Sequence, residues 1–365
     1  MTLYLYIGRK FLKIFLGVFA GFYGIAFLLD IVEQVRQFSG TGVSIAEILH
    51  LALLKTPEAM YAILPLVMIL ATLALFLGLA RSSELVVIRA SGRSAIRSLA
   101  SPVVVALLIG VVSVAAYNPI VAATKQQYEK VAQSHRQTQQ NTMSVSSEGL
   151  WLRQVSETQQ SVVRASEANL DGTELWNTTF INFDDDGDPV VRIEAAHAKL
   201  MDGYWELYGI KKWPLQDTNN PERDAELLER MDLPTDLTRD QIRDSFGTPN
   251  AISIWELPAF IDTLERAGFS ALKHRVWLNR ELAMPIMFVA MVLIGAGFTM
   301  RHTRFGRTGT MVLFSILLGF SLFFIRDFVQ IFGENGQVPV LLATWSPPVV
   351  AISIAVAILL HMEDG

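Results

Sequence analysis

The sequence predicts an integral membrane α-helical protein with six transmembrane helices, three on each side of an inserted, exported β-domain, a small sandwich or a β-jellyroll-like domain. Three observations carry this. The first is apolar length: the 365-residue chain is 51% hydrophobic and only 18% charged, with a mean hydropathy of +0.36, where a soluble chain carries about 25% charge. The second is charge segregation. Residues 118–274 hold 15 Lys/Arg and 25 Asp/Glu, whereas the rest of the chain holds 15 and 10. An acidic polar insert thus lies between two apolar, mildly basic arms. The third is the position of the basic residues at the span ends, taken up below. This pattern excludes a nucleic-acid binder, which concentrates positive charge on a folded face. The absence of Cys excludes thiol catalysis, disulfides and Cys-rich zinc sites.

Crossing the ~30 Å hydrocarbon layer takes about 20 apolar residues, because every backbone polar group must be paired within the helix. Met60–Ala80, Leu99–Ala123, Leu282–Met300, Thr308–Ile325 and Val338–Leu360 are uncharged and meet or approach that length. Phe11–Leu29 is a sixth span, with Lys13 near its end, where the side chain reaches the interface. Its apolar run exceeds that of a signal peptide and no small-x-small site follows, so it reads as an uncleaved helix. The expected organisation is residues 1–135 for spans 1–3, 136–252 for the insert and its connector, and 253–365 for a re-entry helix and spans 4–6.

Orientation follows from Lys and Arg. Arg9, Lys10 and Lys13 precede or open span 1; Arg81, Arg89, Arg93 and Arg97 lie between spans 2 and 3; Arg301, Arg304 and Arg307 lie between spans 4 and 5. If the spans alternate, all three clusters fall on one side. That side is then cytoplasmic, with both termini, and the insert is exported.

Within the insert, Gly149–Gln154, Ser161–Ala165, Asn177–Phe183, Val190–Ala195 and Tyr204–Ile210 are strand-like runs of Val, Ile, Thr and aromatics. Asp184–Pro189 is a turn. His135–Ser147 reads as a polar connector and Asn219–Asn250 as irregular or loosely helical. Thr238-x-x-Gln241 and Ser253-x-x-Glu256 are capping boxes, the second opening a helix ended by Gly268.

No catalytic residues, metal ligands or cofactor are predicted. There is no G-x-x-x-x-G-K-[ST] phosphate cradle, no H-E-x-x-H and no G-x-S-x-G, and the six histidines are widely spaced. Asp184–Asp188 lacks the rest of a calcium loop. Asn177-Thr178-Thr179 matches a glycosylation acceptor, a pattern that recurs by chance.

The informative segment joins spans 2 and 3: Arg81-Ser82-Ser83-Glu84-Leu85-Val86-Val87-Ile88-Arg89-Ala90-Ser91-Gly92-Arg93. On a helix of about residues 80–93, Leu85, Val87 and Ile88 form an apolar patch, Glu84 neighbours Arg81 at i, i+3, and Gly92 supplies a stop. Such a helix is either an interfacial float or a plug for a partner's groove. A lone acid among arginines is unnecessary for an anionic membrane surface, which favours the plug.

Ser83–Gly92 resembles the signature of the LptF/LptG (YjgP/YjgQ) permeases, which export lipopolysaccharide. The resemblance continues through Asn118-Pro119 and Tyr128, Glu148-Gly149-Leu150-Trp151, Ser253-Ile254-x-Glu256-Leu257, Leu282-Ala283-x-Pro285 and Ile331-Phe332-Gly333. The form Glu-Leu-Val-Val-x-x-Ala-Ser-Gly is closer to the LptG branch. This resemblance implies a bacterial inner-membrane permease subunit of an ABC-type exporter, paired with an LptF-like permease. It also implies an LptB-like ATPase dimer, an LptC-like single-pass protein and a periplasmic LptA-like bridge as partners. It implies a coupling helix whose ATPase-facing residues are Glu84, Arg81, Leu85, Ile88 and Arg89, and ATP hydrolysis on a separate chain. Spans 1 and 5 would line the lipid cavity, here with Phe22, Phe27, Phe320 and Phe323, although aromatics are common in ordinary span packing. Arg36, Lys125, Lys130 and Arg326 are the candidates for lipid phosphates; Asp30 and Glu33 stand where the family often has a lysine. Gly17-x-x-x-Gly21 and Gly24 offer a small-residue face, either for packing within the chain or for the LptC-like helix. The alternative from another class is a non-transporting membrane scaffold or receptor with a partner-binding β-domain. Copurification of an ATPase dependent on this chain separates the two.

Overall fold

The structure, a computed structural model, describes residues 2–39, 43–85, 95–136, 142–146, 149–155, 160–169, 172–184, 188–216, 218, 220–235, 237–238, 248–266, 270–300 and 308–363. They form two units. One comprises residues 1–136, 250–255 and 272–365; the other comprises 137–249 and 256–271.

The first unit is helical: α1 (Thr2–Gln37), α2 (Ile45–Arg81), α3 (Ala95–Val112), a π turn (Ser113–Tyr117), α4 (Asn118–Arg136), α6 (Leu272–Thr299), α7 (Thr308–Glu334) and α8 (Val340–Glu363). Among the described residues six stretches are long and apolar enough to cross a membrane, with α3, the π turn and α4 acting as one. The helices outrun the predicted apolar cores because their polar ends pack as well. Span 2 starts at Ile45 rather than Met60, opened by a capping box in which Ser44 and Glu47 satisfy each other's backbone N–H groups. Beyond the predicted end of span 1, Phe38 packs with Leu51 and Ala132 against Val43, Tyr128 and Val131.

Spans 2 and 4 (α2 and α6) are the bundle's centre: 67% of the most apolar window of each is buried, against 6% for span 1 and 22% for span 5. Gly110 on α3 lets that helix press against α6, since a Cβ there would lie 2.5 Å from the Cα of Pro285. Gly333 does the same for α7, where a Cβ would meet that of Ala343 on α8 at 2.6 Å. Gly110→Val is expected to force α3 and α6 apart and to destabilise the bundle by about 1–3 kcal/mol, the usual range for overpacking. A thermal unfolding midpoint in detergent equal to that of the wild type would refute this.

The π turn has a local cause. Pro119 has no N–H to donate to the Ala115 carbonyl, and the Trp255 indole Nε1–H donates to that oxygen at 3.0 Å instead. Further along, Gln126 donates to the Ala251 carbonyl at 2.7 Å, and Lys125 reaches Asn250 at 2.7 Å and Glu58 at 2.8 Å. Residues 250–255 are thereby strapped along the helix of span 3.

The second unit holds an antiparallel sheet of seven strands in sequential order: β1 (Thr142–Ser146), β2 (Gly149–Val155), β3 (Gln160–Ala168), β4 (Glu174–Phe183), β5 (Pro189–Met201), β6 (Tyr204–Pro214) and β7 (Glu226–Pro234). Val163, Leu175, Phe180, Ala198, Trp205 and Leu207 are fully buried in its core. Pairing skips residue 177 on β4, 196 on β5 and 209 on β6. Asn177 and Gly209 adopt left-handed backbone there, at φ 50° and 62°. Ladder pairing thus lapses along one row across the sheet with the register unchanged on either side, while the register shifts only at Asn182/Phe183.

Two sequence expectations are corrected. The polar connector contains β1, and the segment read as irregular or loosely helical contains β7. Strand β7 shows no hydrophobic alternation because, paired only with β6, it is a solvated edge: Arg230 pairs with Glu206 and Lys212 with Glu226. The predicted re-entry helix is α5 (Leu257–Arg266), grouped with the β-domain rather than with spans 4–6. Its expected capping box is not formed: Ser253 Oγ accepts from the Trp255 N–H at 3.4 Å, and the Glu256 carbonyl opens the helix. Gly268, Thr238-x-x-Gln241 as a box and the centre of the Asp184–Pro189 turn lie outside the described residues.

Candidate functional site

The loop after span 2 begins where α2 stops at Arg81. Ser82 closes the helix by donating its N–H to the Gly78 carbonyl, and Ser83 takes left-handed backbone at φ 61°. That turn aims Glu84 back at span 1. Lys10 Nζ donates to both carboxylate oxygens, at 2.8 and 3.1 Å; Tyr6 Oη donates at 3.0 Å and Ser82 Oγ at 2.8 Å. Lys10, then Ser82 and Tyr6, hold the Glu84 carboxyl below its usual pKa. Sequence reasoning assigned Arg81 as the neighbouring cation. The structure leaves Arg81 exposed and supplies Lys10 in its place, because helix spacing fails once the chain turns at Ser83. Leu85 is buried at 7% exposure. Ile88 and Arg89 lie outside the described residues.

Sequence reasoning did not single out Lys10 and Tyr6 as partners of Glu84. They are spaced i, i+4 on one face of α1, but no local pattern ties them to a residue 74 positions away. A pocket of about 540 Å³ lies beside them, lined by Leu5, Tyr6, Arg9, Lys10 and Lys13.

The aromatic residues of spans 1 and 5 divide by exposure. Phe22 and Phe27 are half-buried, as is Phe323, while Phe320 and Phe324 are exposed. Span 1 packs on α2 and α3, and span 5 on α6, α8 and α2. A Cβ added at Gly17, Gly21 or Gly24 would meet nothing within 4 Å, so among the described residues nothing packs closely on this stripe.

The four candidate phosphate ligands are not equivalent. Lys130 is exposed, and Arg36 is exposed but paired with Glu33 at 2.9 Å. Lys125 is held by Glu58 and Asn250. Arg326 is only 6% exposed, paired with Asp327 at 2.9 Å and stacked over the Phe323 ring at 4.9 Å. The last two are thus committed to partners within the chain, Arg326 to its sequence neighbour and Lys125 to residues far from it, which spacing could not reveal.

Beside Arg326 lies a polar cluster that sequence reasoning missed. Glu281, wholly buried, accepts hydrogen bonds from Tyr61 Oη and from Asn118 Nδ2, the latter at 3.2 Å. Its other oxygen has no hydrogen-bond partner among the described residues. Asn118 Oδ1 in turn accepts the Ile254 N–H at 2.9 Å. Arg280 joins Asp327 at 3.3 Å. Ionisable groups at membrane depth are costly and face the bundle interior, as here. The visible signal was a Glu immediately before an apolar run. Among the described residues no group of three or more His, Asp or Glu side chains could hold a metal.

Among the described residues, six membrane-length apolar stretches, three before and three after a sequentially paired antiparallel β-domain in the chain, define a polytopic membrane protein with a large polar insert. The sequence model described as "Lipopolysaccharide export system permease LptF/LptG" matches residues 5–361. The chain belongs to that family of lipopolysaccharide export permeases. Among individually curated proteins, none matches the chain.

Proposed function

We propose that this chain is the LptG-like permease half of an ABC-type exporter in the bacterial inner membrane. Both termini and the Glu84 loop are cytoplasmic, and the β-domain is periplasmic. It pairs with an LptF-like permease and takes lipopolysaccharide laterally from the outer leaflet of that membrane. The lipid passes to a periplasmic LptA-like bridge, and an LptC-like helix sits against the Gly17, Gly21 and Gly24 stripe. ATP is hydrolysed on an LptB-like dimer that engages the Glu84 loop, with Arg81 and Arg89 beside it and Leu85 and Ile88 as apolar support. Closure of that dimer moves the loop and collapses the lipid cavity as a rigid-body switch.

The observation that carries this reading is the uneven burial of the spans. Spans 1 and 5 have few neighbours in their own chain and carry aromatic residues. Within the chain each packs on different helices apart from α2, so a cavity lined by span 1 on one wall and span 5 on the other takes two permeases. Phe22, Phe27, Phe320 and Phe323 contact acyl chains. Arg36 and Lys130 meet the phosphates, while Lys125 and Arg326 brace the spans behind them.

A photocrosslinker at Phe27 or Phe323 is expected to trap lipopolysaccharide in an ATP-dependent way, and one at Trp255 is not. Equal yields at the three sites would sink the cavity assignment. An ATPase that fails to copurify with the chain would favour the scaffold alternative.

A further inference from the structure

Both oxygens of Glu84 are already engaged within the chain, by two side chains of span 1 and one of its own turn. Span 1 is anchored at this end and again near buried Gln34, which accepts from Tyr128 Oη, with Phe38 packed just beyond it. Ile7, Phe11 and Phe15 are buried, and Ser101 Oγ on α3 donates to the Tyr4 carbonyl at 2.6 Å. Past Phe15 the helix is half-buried or exposed until Gln34. A displacement applied at residues 6–10 therefore acts on one of the two held ends of a helix that is lightly constrained between them.

We infer that Lys10, oriented by Tyr6, is a positioning residue that joins Glu84 to span 1, so that movement of the loop is delivered to span 1 within a single chain. The inference rests on the proposed coupling role of Glu84 and adds the element on which that role acts. Lys10 reaches its position with its ammonium over the Tyr6 ring, 5.3 Å from the centroid, and with a hydrogen bond to Tyr6 Oη at 3.2 Å. These contacts direct the ammonium towards the loop rather than into water. A pair with side chains still 27% and 32% accessible to water adds little to folding. Its consequence is a linkage between two moving parts.

The test is a double-mutant cycle in proteoliposomes holding the whole exporter complex and lipopolysaccharide, read as lipid transferred per ATP hydrolysed. Lys10→Met is expected to lower that ratio about fivefold, the factor that ~1 kcal/mol of lost coupling produces. Lys10→Arg, which keeps charge and donors, should restore it. The Lys10→Met, Glu84→Gln double variant should be no worse than Glu84→Gln alone. A wild-type ratio for Lys10→Met overturns the inference, as do losses that multiply in the double variant. A fall explained wholly by less assembled complex overturns it too. If Lys10→Met is silent while Glu84→Ala is defective, only the link to span 1 fails. If Glu84→Ala is silent, the coupling role of Glu84 fails with it.

Discussion

Glu84→Ala is expected to cut productive ATPase engagement by roughly 30- to 3,000-fold while expression and membrane insertion stay near normal. The range follows from two magnitudes. Within the chain, Glu84 makes a half-buried contact to Lys10 and exposed ones to Tyr6 and Ser82, and a pair still this accessible to water contributes only about 0–1 kcal/mol to folding. Six apolar spans dominate the rest. At an interface, truncating one member of a buried, hydrogen-bonded charge pair costs ~2–5 kcal/mol, largely through the charge left unpaired. At ~1.4 kcal/mol per tenfold, that is the stated range. Glu84→Gln keeps the shape and one acceptor and should be milder. Copurification of the ATPase, hydrolysis and lipid transfer are the three measurements. Wild-type values in all three for Glu84→Ala would remove Glu84 from the coupling path.

Glu281→Ala should have the second large effect, and on stability rather than coupling. The carboxylate is wholly buried and is the acceptor for Tyr61 Oη and Asn118 Nδ2. Removing it orphans two donors at about 1–3 kcal/mol each and leaves a cavity between spans 2, 3 and 4. A loss of roughly 2–6 kcal/mol is enough to unfold a marginal bundle. Glu281→Gln retains an acceptor oxygen for these donors and should lose far less. Thermal unfolding of the detergent-solubilised protein and the yield of assembled complex report both variants. An Ala variant as stable as the Gln variant would mean that the buried carboxylate does not hold these helices together.

The stretches that carry the family resemblance acquire a structural meaning here. Asn118 joins Ile254 to Glu281, Pro285 receives the close approach of Gly110, and Gly333 admits Ala343. Sequence reasoning used them as a signature and could not see that they touch. The same holds for Glu84: the residue was legible from its isolation among arginines, but its cation was assigned to Arg81 from helical spacing. A left-handed Ser83 breaks that spacing, and Lys10, far away in the chain, takes the place. Strand β7 was illegible for a different reason: a solvated edge needs no alternation, so its charged residues read as loop.

By itself the sequence determined the number of spans, their three-plus-three division and the β character of the insert. Each of these is set by one-dimensional quantities: apolar length against membrane thickness, charge segregation and β-propensity. The tertiary structure alone decided which charges are spent internally. Lys125 and Arg326 belong to Glu58 and Asp327, Lys10 to Glu84, and Glu281 to Tyr61 and Asn118. Such pairings join residues up to 220 positions apart. Apart from Arg326 and its chain neighbour Asp327, they are fixed by which helix faces meet, and local spacing carries no trace of that.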